Sequence, residues 1–171
     1  VVNGSVSVIA GGKIDLLGAN GGSSGFVMIG HGGVTSNGDK GDADDVILVQ
    51  ATADIRMQGG TGGNAFVQIG NGGLNSTGNF RSNRIEVVST GGNLNLIGGS
   101  NASVDDSYVQ IGHGTSQTTS SATSDIRVDI RHGAITMTSG AGITDTGGSD
   151  TPNFTQIGNG GHQNQGSQSG Q

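Results

Sequence analysis

The chain has 171 residues, of which 36 are Gly and one is Pro, with 3% aromatic and 12% charged residues and a formal net charge of −6. The absence of Cys excludes a disulfide framework or a thiolate metal site. No Lys/Arg cluster offers the electrostatic footprint of a nucleic-acid binder, and no 18-residue apolar run is present to insert into a membrane.

The apolar fraction of 30% is low, yet disordered chains of that kind are usually rich in Pro, Lys and Glu. Here Val, Ile, Leu and Met stand in short alternating runs, the pattern of β-strands. In chain order, Val6/Val8 mark a first strand and Ile14/Leu16 a second. Phe26-Val27-Met28-Ile29 marks a third, followed by Gly30-His31-Gly32-Gly33. The triplet returns as Ile47/Val49, Ile55/Met57 and Phe66-Val67-Gln68-Ile69-Gly70-Asn71-Gly72-Gly73. It returns again as Ile85/Val87, Leu94/Leu96 and Tyr108-Val109-Gln110-Ile111-Gly112-His113-Gly114. A last copy reads Ile126/Val128, Ile135/Met137 and Phe154-Thr155-Gln156-Ile157-Gly158-Asn159-Gly160-Gly161. The third-strand Ile recurs after 40, 42 and 46 residues. The extra length falls mainly between the second and third strands, where a solenoid tolerates insertions.

Fixed-period self-similarity of this kind predicts an all-β, right-handed parallel β-helix, or β-solenoid. It has four rungs of about 40 residues with three strands each, at about 1–40, 41–80, 81–120 and 121–161. Residues 1–161 form one domain, and 162–171, rich in Gln, Gly and Ser, read as a polar tail or linker. The chain starts at Val1 and reads as a piece of something longer.

Strand alternation directs Val27, Val67, Val109 and Thr155 inward, together with Ile29, Ile69, Ile111 and Ile157. Phe26, Phe66, Tyr108 and Phe154 then form an outward aromatic ladder, with Met28, Gln68, Gln110 and Gln156 beside it. The register can be checked without the apolar residues. It sets Lys13 opposite Asp54, Asp15 opposite Arg56, Arg84 opposite Asp125 and Glu86 opposite Arg127, all of opposite sign, as adjacent strands prefer.

The turn motif Gly30-His31-Gly32, Gly70-Asn71-Gly72, Gly112-His113-Gly114 and Gly158-Asn159-Gly160 offers histidines that could serve as metal ligands or bases. His and Asn both tolerate positive φ, so the exchange is expected to reflect a left-handed turn. Asp42, Asp44 and Asp45 are weak candidate calcium ligands through their carboxylate oxygens; they do not recur, and a solvated, turn-forming Asp cluster is the favoured reading. Otherwise no cofactor is implied. A β-helix enzyme needs converging carboxylates, but the acids here face bases on the next rung, and no enzymatic role is expected.

Units of a Val/Ile strand, a Gly-Gly turn, an Ile/Leu strand and a Gln-Ile-Gly-His-Gly-Gly-like strand resemble the repeats of large bacterial exoproteins, the haemagglutinin-like filamentous adhesins. The resemblance covers nearly all of residues 1–161. It implies an extracellular or cell-surface location and a structural or adhesive role, and it carries over no catalytic residues. The partners it suggests are a second copy or adjoining repeats, stacked end to end or side to side. A glycan or cell surface is a further option, met through the aromatic ladder or the loops at 98–107 and 138–153.

Overall fold

The alternating runs do become strands. The computed structural model describes residues 1–22, 24–100, 106–114, 120–140, 153–161 and 166–170. Within these, the first-strand series is β1 (Val6–Ala10), β4 (Val46–Ala51), β7 (Phe80–Ser89) and β10 (Ala122–Ile130). The second is β2 (Ile14–Leu17), β5 (Ile55–Gln58), β8 (Leu94–Ile97) and β11 (Ile135–Thr138), and the third is β3 (Val27–Ile29), β6 (Val67–Ile69), β9 (Val109–Ile111) and β12 (Thr155–Ile157). A thirteenth strand, β13 (Gln168–Ser169), follows.

Each series stacks into its own parallel sheet, in the orders β1-β4-β7-β10-β13, β2-β5-β8-β11 and β3-β6-β9-β12. The fold is a right-handed parallel β-solenoid. Identical positions pair between rungs: Val6 with Ile47, Ile47 with Ile85 and Ile85 with Ile126. The same holds for Ile14, Ile55, Leu94 and Ile135, and for Val27, Val67, Val109 and Thr155. The inward residues of the three sheets form one core, with Ile47, Val49, Ile55, Met57, Val67 and Ile69 of rung two all at its centre.

The outward ladder is corrected by the structure. Phe66 and Tyr108 are only 0% and 1% exposed. Phe26, Phe66, Tyr108 and Phe154 do stack, at centroid spacings of 5.0, 4.9 and 5.0 Å and interplanar angles of 7°, 7° and 2°. Phe66, Tyr108 and the partly buried Phe154 form a second core with Val34 and Leu74, whereas Phe26, at the end of the row, is 37% exposed. In rungs one and two, Val34 and Leu74, just past the glycine turn, pack against this row from its outer side. Alternation separates the two faces of a strand but does not say which of them meets water. Gln68 and Gln110 share that covered face and are buried too.

The polar tail is also corrected in part. Successive rungs are led by Val2, Lys40 and Phe80, which bridge in turn, then by Ala122 and Gln168. Gln168 and Ser169 therefore begin a fifth rung on β10. Apolarity is not required there, because the Gln168 carboxamide donates to the Ser120 and Gly166 carbonyls at 3.0 and 2.9 Å.

The aromatic stack sets a stability test. Phe66→Ala empties a filled site and should lower unfolding free energy by about 3–5 kcal/mol. The buried Tyr108 hydroxyl has no hydrogen-bond partner among the described residues, and a buried unpaired hydroxyl costs roughly 1–3 kcal/mol. Tyr108→Phe, which gives rung three the ring of its neighbours, should therefore leave stability unchanged or raise it. Urea unfolding of the two variants checks both.

Candidate functional site

The motif that closes the third strand of every rung is the most regular polar feature of the molecule. Its first glycine cannot carry a side chain, because a Cβ on Gly30, Gly70 or Gly112 would lie 2.1, 2.1 or 2.0 Å from the carbonyl oxygen of Gly70, Gly112 or Gly158 on the next rung. Its φ of +144° to +154° in the four copies is equally hostile to other residues. The second glycine, at Gly32, Gly72, Gly114 and Gly160, also holds a positive φ.

The residue between them does not. Among the described residues, the non-glycine residues at positive φ are Ser24, Thr35, Asn64, Asn75 and Asp106, so a left-handed turn is not the reason for the exchange of His31, Asn71, His113 and Asn159. Hydrogen bonding is. The His31 N–H donates to Asn71 Oδ1 at 2.8 Å, the Asn71 N–H to His113 Nδ1 at 2.8 Å, and the His113 N–H to Asn159 Oδ1 at 3.0 Å. Asn Oδ1 and His Nδ1 are acceptors the same number of bonds from the backbone, and either one satisfies the amide of the rung before. The far end of each side chain ties the turn to the first sheet. Asn71 Nδ2 donates to Arg81 O at 2.8 Å, Asn159 Nδ2 to Ser169 O at 2.7 Å, and His31 Nε2 meets Gly4 O at 2.8 Å. Beside this ladder the Gln68 amide donates to the Asn71, Gly112 and Gly114 carbonyls. Gln110 repeats the pattern on His113, Gly158 and Gly160.

Among the described residues, His113 and Ser82 form the one pairing that looks catalytic, with Nε2 2.9 Å from the Ser82 hydroxyl. The chemistry runs the wrong way. Nδ1 accepts from a backbone amide, so the proton of the neutral ring sits on Nε2 and is donated to Ser82. A serine-activating histidine needs Nε2 bare. Ser82 passes the polarity on to Ser124 Oγ at 2.8 Å, and Ser124 to the Asp125 carbonyl at 3.0 Å. All three side chains are buried, and burial lowers the His113 pKa to about 3.

The charged positions fall where the register puts them. Asp15 pairs with Arg56, Arg84 with Asp125 and Glu86 with Arg127 along the sheets, and Lys13 precedes Ile14, whose N–H bonds to Asp54 O. Arg127 reaches Glu86 across the rungs at 3.3 Å. Lys13 and Arg84 turn instead to carboxylates on their own strands, Asp15 at 2.7 Å and Glu86 at 3.1 Å. Residues two apart share a face of a strand, so each cation has two acids within reach.

Asp42, Asp44 and Asp45 are not brought together as a calcium site. Asp45 Oδ2 accepts the N–H groups of Gly4 and Asp42 at 2.9 and 2.8 Å, and Asp42 Oδ1 that of Ala43 at 2.6 Å. Among the described residues no group of three or more His, Asp or Glu converges as metal ligands. Of the candidate recognition loops, 101–105 and 141–152 lie outside the described residues.

Sequence reasoning missed Lys40. It is 2% exposed, with Nζ on the Ser36, Gly38 and Thr77 carbonyls at 2.9, 2.6 and 3.2 Å and 5.2 Å from the centre of the Phe80 ring. Desolvation lowers its pKa, against the pull of Asp39. The signal was its place in the repeat, where the next rungs carry Phe80 and Ala122.

A scan against protein-family models finds none that matches this chain, and searches of curated proteins and of solved structures return no match either.

The ladder sets a pH test. His113 is held neutral in the fold, so its stabilising contribution is full above its unfolded pKa of about 6.5 and is lost as pH falls toward 3. The loss should reach roughly 1.4 kcal/mol at pH 5.5. His113→Asn keeps the acceptor and should remove this part of the acid dependence in pH-resolved urea unfolding. His113→Leu strands the Asn71 amide and should cost about 1–3 kcal/mol at pH 7.5.

Proposed function

We propose that this chain is a non-enzymatic structural segment of an extracellular or cell-surface rod, of the haemagglutinin-like filamentous adhesin kind, which extends by stacking rung on rung. The observation that carries the reading is the open end of the core. Ile135 and Met137 are 47% and 45% exposed, whereas Leu94 and Leu96 at the same positions one rung earlier are fully buried. Exposed core positions of this kind call for a further layer, and repeat proteins bury such faces against the next repeat. The resident polar groups support the same reading. The turn motif repeats with its hydrogen bonds directed along the stack, while the Ser82–His113 pair holds its proton in the unreactive place.

The four rungs span about 19 Å of such a rod at the usual strand spacing. Sedimentation velocity over a wide concentration range, with electron microscopy of the same samples and of the surface on which the protein is displayed, tests this. End-on rods are expected. Dispersed monomers in every sample would remove the structural reading.

A further inference from the structure

The outer face of the second sheet carries a cleft that the repeat does not explain. Ile14, Leu16, Ile55 and Met57 face the core, so alternation turns Asp15, Leu17, Arg56 and Gln58 outward. Leu17, Gly18, Asn20, Arg56, Gln58 and Gly59 line a cleft of about 230 Å³ where that face meets the second corner. The cleft therefore opens to the side of the stack, between rungs one and two. In the places of Arg56 and Gln58, rung three carries Asn95 and Ile97 and rung four Thr136 and Thr138. The guanidinium is peculiar to rung two.

The polar side chains of this lining present donors. Arg56 has five N–H groups and no acceptor, and among the described residues its hydrogen bond goes to Gln58 Oε1. That bond occupies the Gln58 carbonyl oxygen and leaves its NH2 group for a ligand. Asn20 stands likewise, with its Oδ1 accepting from the Thr61 hydroxyl at 3.4 Å. Arg84, Arg127 and Arg131 each meet a carboxylate, whereas Arg56 meets an amide. The nearby acids are engaged elsewhere and lie outside the lining. Asp15 is held by Lys13 at 2.7 Å, and Asp54 Oδ1 accepts the Asn93 N–H at 2.7 Å.

Donors gathered round a guanidinium select an oxyanion, and the planar fork matches the two oxygens of a carboxylate. Asp15 and Asp54 repel a second negative charge, which disfavours the dianions of phosphate and sulfate. The cleft is larger than a bare carboxylate, and Leu17 supplies an apolar wall for the body that carries it. We infer that this cleft is a binding site for a small organic monocarboxylate, gripped by Arg56, seated against Leu17 and met by the amide groups of Gln58 and Asn20. The site is independent of the rod reading, because it faces sideways from the stack.

NMR titration of the labelled full chain tests this. The probes are glucuronate and cyclohexanecarboxylate, with methyl glucoside, sulfate and chloride as controls at matched ionic strength. The acids should give saturable shifts at the Gly18, Asn20, Arg56, Gln58 and Gly59 amides. Either order of affinity supports the site, and the tighter acid tells whether the preferred body is hydroxylated or apolar. Arg56→Gln, at an exposed outward position, should weaken both acids about ten-fold or more, as the loss of a charge-assisted bond requires. The amide signals of Ile85 and Val87 in the core should stay in place and show that the fold is kept. Arg56→Lys keeps the charge without the fork and should also bind more weakly than the parent. Unchanged binding by Arg56→Gln, or no saturable shift with either acid, overturns the site. Sulfate binding as tightly as the acids overturns the carboxylate assignment, and methyl glucoside binding as tightly as glucuronate overturns the role of the anion.

Discussion

The closeness of one rung's turn to the next is the constraint from which the rest follows. Three parallel sheets can share one stack only if every corner repeats at the strand spacing. At the third corner the Gly30, Gly70 and Gly112 positions press on the carbonyl oxygens of Gly70, Gly112 and Gly158, leaving no space for a Cβ. A side chain there would push two rungs apart and break the ladders on both sides of it. The sheets themselves are short, with only three residues in β3, β6, β9 and β12, so the corner fixes the third sheet as much as the sheet fixes the corner.

Pressing bare backbone together creates a polar problem that the intervening residue solves. The amides of His31, Asn71 and His113 point along the stack, and each finds a side-chain acceptor one rung on. The donor at the far end of the same side chain then fastens the corner to the first sheet. Leu74 and Val34, just past the turns of rungs two and one, pack on the middle of the aromatic row, which makes Phe66 and Tyr108 a second core. One short motif thus sets the rung spacing, satisfies the buried backbone and positions the second core. The Gln68 and Gln110 amides extend this network, although their carboxamide oxygens are left without partners among the described residues.

The stacking register was legible because it is encoded twice, in paired apolar positions and in facing charges such as Glu86 and Arg127, which form an ion pair across the rungs. Three things were not legible. Burial of the Phe66 and Tyr108 row depends on a segment that reads as turn, and only the repeated apolar residue after the glycines, Val34 and Leu74, marked it. The role of His113 depends on which ring nitrogen meets which amide, a contact between residues 42 apart in sequence. The place of Gln168 on the first sheet follows the order of rung-leading positions, where the residues share no chemical type. In each case position in the repeat carried more information than residue class.

The central claim is that the His/Asn position joins rungs through side-chain acceptors for backbone amides. Nitrogen-detected NMR of uniformly labelled protein at pH 7 measures this directly at His113. The account predicts a neutral ring with a bare Nδ1 and a proton on Nε2, and a through-hydrogen-bond coupling between Nδ1 and the Asn71 amide nitrogen. A ring protonated on Nδ1, or the absence of any coupling to Asn71 in the folded protein, would contradict it.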